Sequence, residues 1–516
     1  MQFEYLIYVS FVIYGLGFAF NYFNKHTRVI YLCLFLSAFL IRYFIAAQDP
    51  FLHSWDERYH ALVGKNLAEH PAVPTLKDDT LFEANNFDWQ SAHIWVHKQP
   101  VFLYQIAVSI QFLGNTEMAV RMPSVLMGAL MVLLLFRIAT LTTNKSAAYV
   151  ASGLFIFSFF QLEQTAGVIG MDHNDIAFAF YFALSIWGYV EFRENKQRRY
   201  IYLIAVFTAF GTLTKWLPAC AIYGVWLLDI LIHDTKNWKT ELPGLLKSFG
   251  ISTVIWGSWQ AYIFSRWPRE AGFEHAFNRR HFSEALEGHT GSWNYHLNLF
   301  DNQYGNFTIL LFVIGFLVTM ADQSKWKYRV LYIFIPVSTY LVFSIAKTKS
   351  FAYVFYISPL IFAMIGYGFY LVVHFLVKHI RGQHIQFGVF GILLLLFCGY
   401  HLNTHALYKS HVLGKSDYIN NYRNVLQHNT AIYKQLDSVA SDCDIIFNCR
   451  SLQDIDAEFY SSKTVYSWYP DSTELDHLLQ SGYSIGVFQS FAHQQLPDYI
   501  TRNANIRLLE LNQLTE

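Results

Sequence analysis

Apolar runs long enough to cross, or nearly cross, a bilayer recur along most of the chain, at about 5–21, 29–47, 122–141, 147–163, 173–190, 200–214, 217–232, 247–264, 306–320, 328–346, 351–373 and 385–401. They predict a mainly α, polytopic membrane bundle of about twelve spans. One further run, PVFLYQIAVSIQFLG after Gln99, is apolar but short, which predicts a helix lying along the membrane surface. With that helix left out of the count, the loops carrying Lys25 and Arg28, Arg193 to Arg199, Lys325 to Arg329, and Lys378 and Arg381 all fall on one side, as the positive-inside rule requires. The opposite, external side then receives the loops 48–121 and 265–305, the turn from Lys347 to Ser350, and everything after about 402.

The pattern changes past about 415, where short apolar stretches alternate with polar helical ones. DCDIIFNC, TVYSWY, YSIGVFQSF and NIRLLELN read as strands with helices between them. The expected organisation is a membrane domain over 1–405 and a small external α/β domain over 415–516. The N-terminus, MQFEYLIYVS, has neither a basic region nor a small-residue cleavage site and reads as a retained helix.

Composition agrees with the pattern: 54% of the 516 residues are hydrophobic, 18% aromatic and only 14% charged, with a mean hydropathy of +0.25. That excludes an ordinary soluble enzyme. Basic and acidic residues balance at 37 each, so no basic excess points to nucleic acid as a partner. The five cysteines lack zinc-ligand spacing, and Cys443 and Cys449 sit at opposite ends of one extended run, too far apart to bridge.

Candidate chemistry gathers in the predicted external loops. The first runs from His53-Ser-Trp-Asp56-Glu57-Arg58-Tyr59 to His97-Lys98-Gln99-Pro100. Ser54 and Glu57 have capping-box spacing, and a carboxylate fixed at a helix start can also act as a general base. Lys98 suits either an interfacial anchor or a specific lipid phosphate, and Pro100 is placed to start the surface helix. Between two spans, Asp172, His173, Asn174 and Asp175 offer a helix cap or, with the imidazole, a hold for a divalent cation. In the second loop Arg279, Arg280 and His281 precede Trp293, Tyr295 and His296, a mixture suited to phosphate and sugar. Lys347 and Lys349 add cations beside it, so that Lys98, Arg279 or Arg280, and this turn would form a phosphate cradle.

The ordered set Asp56-Glu57-Arg58-Tyr59, His97-Lys98-Gln99-Pro100, Arg121-Met-Pro123-Ser124, Met171-Asp172, Leu213-Thr214-Lys215, Trp293-Asn-Tyr295 and Lys349-Ser-Phe-Ala-Tyr353 resembles the type C fold glycosyltransferases that use polyprenyl-phosphate sugars. Within these it is most similar to the lipid A aminoarabinose transferases and the protein O-mannosyltransferases. The resemblance covers about 29–405; the first span precedes it, and His97 and Gln99 depart from the acidic residue and proline usual on either side of the lysine.

The resemblance implies inverting transfer, with Asp56 as the base and Glu57 orienting or assisting. It assigns the donor phosphate to Lys98, Arg279, Arg280, Lys347, Lys349 and Arg121, and substrate contacts to Arg58, Tyr59, His97, Asp172, Trp293, Tyr295 and Tyr353. No cofactor is implied beyond a possible divalent metal ion, for which His53, His97, Asp172 and Asp175 are the candidates. The expected partners are a polyprenyl-phosphate sugar donor, a lipid, glycan or protein acceptor, and membrane lipids. The expected place is a cell inner membrane with the C-terminal domain on the periplasmic or external side. The chain lacks the Trp-Trp-Asp signature of oligosaccharyltransferases. A flippase of lipid-linked sugars is the alternative; it would use the same cations, need no base and show inverted repeats, and none is visible.

Overall fold

The computed structural model describes residues 3–79, 81–168, 173–233, 238–413, 417–489 and 496–509. Each predicted apolar run is helical. The helices are α1 (Tyr5–Tyr22), α2 (Thr27–Ala46), α3 (Asp56–Glu69), α4 (Pro100–Leu113), α5 (Glu117–Thr142), α6 (Lys145–Ile156), α7 (Phe159–Ala166), α8 (His173–Asn195), α9 (Arg199–Lys215), α10 (Ala221–His233), α11 (Trp238–Arg266) and α12 (Pro268–Ser283), followed by Thr308–Ala321, Arg329–Ile345, Ser358–Val377 and Gln383–Leu402. Among the described residues seven helical segments are long and apolar enough to cross a membrane, or eight if α6 and α7, bent by 52°, count as one span. The chain is a multi-pass membrane protein. The short run after Gln99 is α4, started by Pro100 at its first turn as expected.

Where apolar helices meet without a hydrophobic driving force, small residues let backbones approach. A Cβ on Gly366 would come within 2.5 Å of the Ala151 backbone, and Gly315 and Gly368 touch the Met364 and Leu311 carbonyls. Polar groups at these contacts are reciprocally satisfied: the Tyr14 hydroxyl donates to the Tyr149 carbonyl at 3.1 Å and the Tyr149 hydroxyl to the Tyr14 carbonyl at 2.6 Å.

The four expected strands form one parallel sheet, β1 (Ile445–Phe447), β2 (Thr464–Val465), β3 (Ile485–Phe488) and β4 (Ile506–Leu509), in the order β2-β1-β3-β4. Cys443 and Cys449 flank β1 as buried free thiols. This domain is fastened to the loop between α2 and α4. Lys77 reaches Asp454 at 2.9 Å, Glu458 at 3.0 Å and the Val465 carbonyl at 3.1 Å, and Lys65 donates to the Glu458 and Ser461 carbonyls at 2.6 Å each. Leu81 and Phe82 from the same loop pack onto the sheet.

Candidate active site

Asp56 opens α3 and Lys98 immediately precedes the N-cap of α4, so two helix starts carry the opposite charges. Packing of α3 against α4 brings them together, with Lys98 Nζ 3.6 Å from Asp56 Oδ1. Both side chains remain open to solvent, 30% and 22% exposed. A carboxylate fixed at a helix start, yet accessible, can accept a proton from an incoming hydroxyl.

Glu57 is placed differently. It is 4% exposed, and its oxygens accept from the His53 backbone N–H at 2.6 Å, Arg121 Nε at 2.7 Å and Arg121 Nη2 at 3.2 Å. His53 Nδ1 lies 2.7 Å from Oε2 and His173 Nε2 3.0 Å from Oε1. Burial alone would raise its pKa, but Arg121, His53 and His173 hold it well below the usual carboxylate range. Glu57 is therefore a buried carboxylate whose oxygens are taken up by the fold, closed off from solvent. The capping box fails for the same reason: α3 has no side-chain cap, and Ser54 Oγ donates to the Tyr422 hydroxyl instead.

Three expectations are corrected by this arrangement. Arg121, expected on the donor phosphate, is 1% exposed; besides Glu57 its guanidinium serves the carbonyls of Ala46, Asp49 and Phe51 at 2.6–2.9 Å. Arg58, expected on substrate, is buried against Asp456 at 3.2 Å and the Leu452 carbonyl at 2.7 Å, tying α3 to the C-terminal domain. Tyr59 is 1% exposed, its ring 4.7 Å from that of Trp89, and belongs to the core.

His53 continues a chain of buried groups. Its Nε2 lies 2.9 Å from Asp49, which also meets His411 Nδ1 at 3.0 Å and Arg423; His411 Nε2 in turn meets Glu163 at 2.7 Å. His97 bonds Glu274 of α12 at 2.7 Å, a strut between the two loops. Asp175 pairs with Lys215 at the end of α9. Among the described residues no three His, Cys, Asp or Glu side chains converge as a metal site, and the candidates His53, His97 and Asp175 each hold the partners named here. Asp172 lies outside the described residues.

The second loop meets the first at the same end of the bundle. The turn 347–349 is stitched to it: the Thr348 N–H donates to the His281 carbonyl at 3.0 Å, the Lys349 N–H to the His289 carbonyl at 3.0 Å, and buried Thr348 Oγ1 to the Glu284 carbonyl at 2.8 Å. Lys349 is 3% exposed and donates to the Phe343 and Ser344 carbonyls at 2.9 and 2.6 Å. It thus satisfies the C-terminal carbonyls of the helix Arg329–Ile345, a correction to its assignment as a phosphate ligand. Lys347 stays exposed and lines, with Gly291, Trp293 and Ala346, a cleft of about 120 Å³. Trp293 is 72% exposed, and Tyr295 is half-buried. Arg279 is exposed, and Arg280 pairs with Glu284 at 2.8 Å on the surface of α12.

Lys215 completes the cationic end, with the His281 imidazole beside it. Lys215 Nζ stands 5.5 Å from the centre of the Tyr353 ring. Burial pushes the His281 imidazole down to about 4, helped by the positive charges of Lys98, His289, Arg280 and Lys215. Burial raises Tyr353 to about 12, with Lys98 opposing. In the sequence Lys215 shows only as a lysine closing an apolar helix, on the side predicted to carry Asp56.

Comparisons with known proteins follow the same lines. A family model described as dolichyl-phosphate-mannose-protein mannosyltransferase matches residues 97–259, about a third of the chain. YkcB of Bacillus subtilis (strain 168), named as a candidate mannosyltransferase, is 28% identical over 173 residues, covering 33% of this chain and 23% of its own length. The chain thus spans about a quarter of that relative. Among solved structures, ArnT from Cupriavidus metallidurans bound to undecaprenyl phosphate is similar with a TM-score of 0.63 at 15% identity, over 87% of this chain and 88% of that one. The Archaeoglobus fulgidus oligosaccharyltransferase in the apo form aligns with a TM-score of 0.54 at 12% identity, over 86% of this chain and 65% of its own. The architecture of this chain is the type C membrane glycosyltransferase fold.

Proposed function

We propose that this protein is an integral membrane glycosyltransferase that moves a sugar from a polyprenyl-phosphate donor to a hydroxyl acceptor at the external face of a cell membrane. The observation that carries the reading is the accessible Asp56–Lys98 pair at 3.6 Å, set where two loops meet at one end of a type C bundle. Asp56 takes the proton of the acceptor hydroxyl as its oxygen attacks the anomeric carbon and the carbon–oxygen bond to the phosphate breaks. Attack opposite the leaving group inverts the anomeric centre. The departing polyprenyl phosphate gains a negative charge, and Lys98, with Lys215, Lys347, Arg279 and Arg280, supplies the positive potential that stabilises it. Polyprenyl-phosphate complexes of the neighbouring folds support this reading: ArnT was solved with undecaprenyl phosphate, and the Archaeoglobus fulgidus enzyme AglB with dolichol-phosphate.

The test is purified full-length protein in lipid nanodiscs, supplied with a panel of polyprenyl-phosphate sugars and acceptors, with products identified by mass spectrometry. Transfer that disappears in Asp56→Asn while the protein stays folded is expected. Wild-type transfer by that variant sinks the base assignment, and movement of intact donor across the bilayer without cleavage points to a flippase instead. A chelator arm reads metal dependence directly.

A further inference from the structure

Trp55 stands in a backbone conformation that suits glycine, with φ at +68°, directly ahead of the candidate base. Its indole gains little burial there, for 56% of the residue is exposed. Residues held in such sparsely populated conformations gather at functional sites, where the surrounding structure over-determines them. The surroundings do so here. The Trp55 ring lies parallel to Trp89, centroids 6.3 Å apart and planes 7° from coplanar. Trp89 leans on the buried Tyr59, and its carbonyl accepts the Trp95 indole N–H at 2.8 Å. The result is a rigid aromatic ladder whose outermost ring faces solvent beside Asp56. Polar groups border it: Ser54 Oγ with the Tyr422 hydroxyl at 3.2 Å, and Arg450 over the Tyr422 ring at 5.9 Å.

A pyranose presents this combination in reverse, with an apolar face of C–H groups and a rim of hydroxyls. We infer that the Trp55–Trp89 pair is the acceptor subsite, that it takes a sugar ring, and that the acceptor is therefore a glycan or glycolipid. The sugar stacks on Trp55 and turns one hydroxyl toward Asp56, so the inference rests on the reading of Asp56 as the base. Aromatic rings gain their stabilisation from broad flat contact, and beyond its stacking on Trp89 the Trp55 indole leaves more than half of the residue exposed next to the base.

Saturation-transfer NMR tests it without any donor present, using the full chain in nanodiscs and three probes: methyl α-mannoside, methyl β-glucoside and chitobiose. At least one probe should take up saturation through its C–H protons, and Trp55→Gly should bind it about three- to tenfold more weakly, the loss of one aromatic face. Glycine relieves the positive φ, so this variant keeps its fold and its melting temperature should not fall. Trp238→Ala, an exposed tryptophan at the start of α11, should bind the probe as the wild type does. The inference is overturned by a wild-type chain that binds none of the three sugars, by unchanged binding in Trp55→Gly, or by quenching of Trp55 fluorescence from brominated lipids, which would make the ring a membrane anchor. Donor cleavage is followed in a separate assay; its failure with sugar binding intact refutes the transfer reading alone.

Discussion

Exchanging Asp56 and Glu57 in turn for their amides should separate chemistry from architecture. In Glu57→Gln, Arg121 loses the counter-charge that lies 2.7 Å from its Nε, while the cation itself stays 1% exposed among backbone carbonyls. Breaking a buried ion pair from one side costs about 3–5 kcal/mol, a large share of the roughly 5–15 kcal/mol that holds a domain folded. His53 and His173 lose a charged acceptor as well. The melting temperature should therefore fall steeply, with turnover of the remaining folded protein within about tenfold of wild type, since a positioning group acts only through geometry. Asp56→Asn breaks only a partly solvated contact at 3.6 Å, worth about 1 kcal/mol or less, so the fold should be nearly unaffected. Its turnover should drop about 10²- to 10⁴-fold, the usual contribution of a general base. Thermal unfolding followed by intrinsic fluorescence and single-turnover transfer on monodisperse protein read the two effects separately. A stable Glu57→Gln as inactive as Asp56→Asn, or an active Asp56→Asn, would refute this division of labour.

Lys77→Met removes the ammonium between Asp454 and Glu458 and leaves both carboxylates buried, which should weaken docking of the C-terminal domain by about 3–5 kcal/mol. Faster amide exchange over 454–465 with unchanged exchange in the bundle is expected; equal protection would count against it. Burial pushes the Asp456 carboxyl up to about 7 in spite of Arg58, with Asp454 and Glu57 adding to the effect. Because the folded state binds the proton more tightly, this group's stability is complete at low pH and lost as pH rises through about 7. Between pH 5 and 8 the wild type should lose roughly 2–3 kcal/mol relative to Asp456→Asn, and parallel stability curves would exclude it. Gly366→Ala forces a methyl to within 2.5 Å of the Ala151 backbone and should cost about 1–3 kcal/mol; an unaltered melting temperature would show that the two helices can part.

Cations on the same predicted face had different fates. Lys98 lies beside Asp56, its ammonium partly open to solvent. Lys349, expected in the same role, instead closes the end of the helix Arg329–Ile345. Nothing local distinguishes the two lysines: each adjoins an apolar helix, and only the folded position of the neighbouring carbonyls decides which ammonium is consumed. Asp56 and Glu57 likewise look interchangeable as adjacent carboxylates. The rotation of about 100° between successive residues of α3 directs Glu57 inward to Arg121, a residue far along the chain, and leaves Asp56 partly exposed.

The sequence by itself determined the helical runs, the short apolar helix after Gln99, the four strands and the convergence of polar loops, because hydrophobic length and alternation are local quantities matched to a bilayer or a half-buried sheet. Only the tertiary structure decided which charges are buried in holding the fold and which stay accessible to solvent. Arg121, Arg58 and Lys349 went to the first group, and Asp56, Lys98 and Lys347 to the second. A buried charge must find a partner wherever the chain brings one, and that choice depends on contacts between distant segments that no local pattern records.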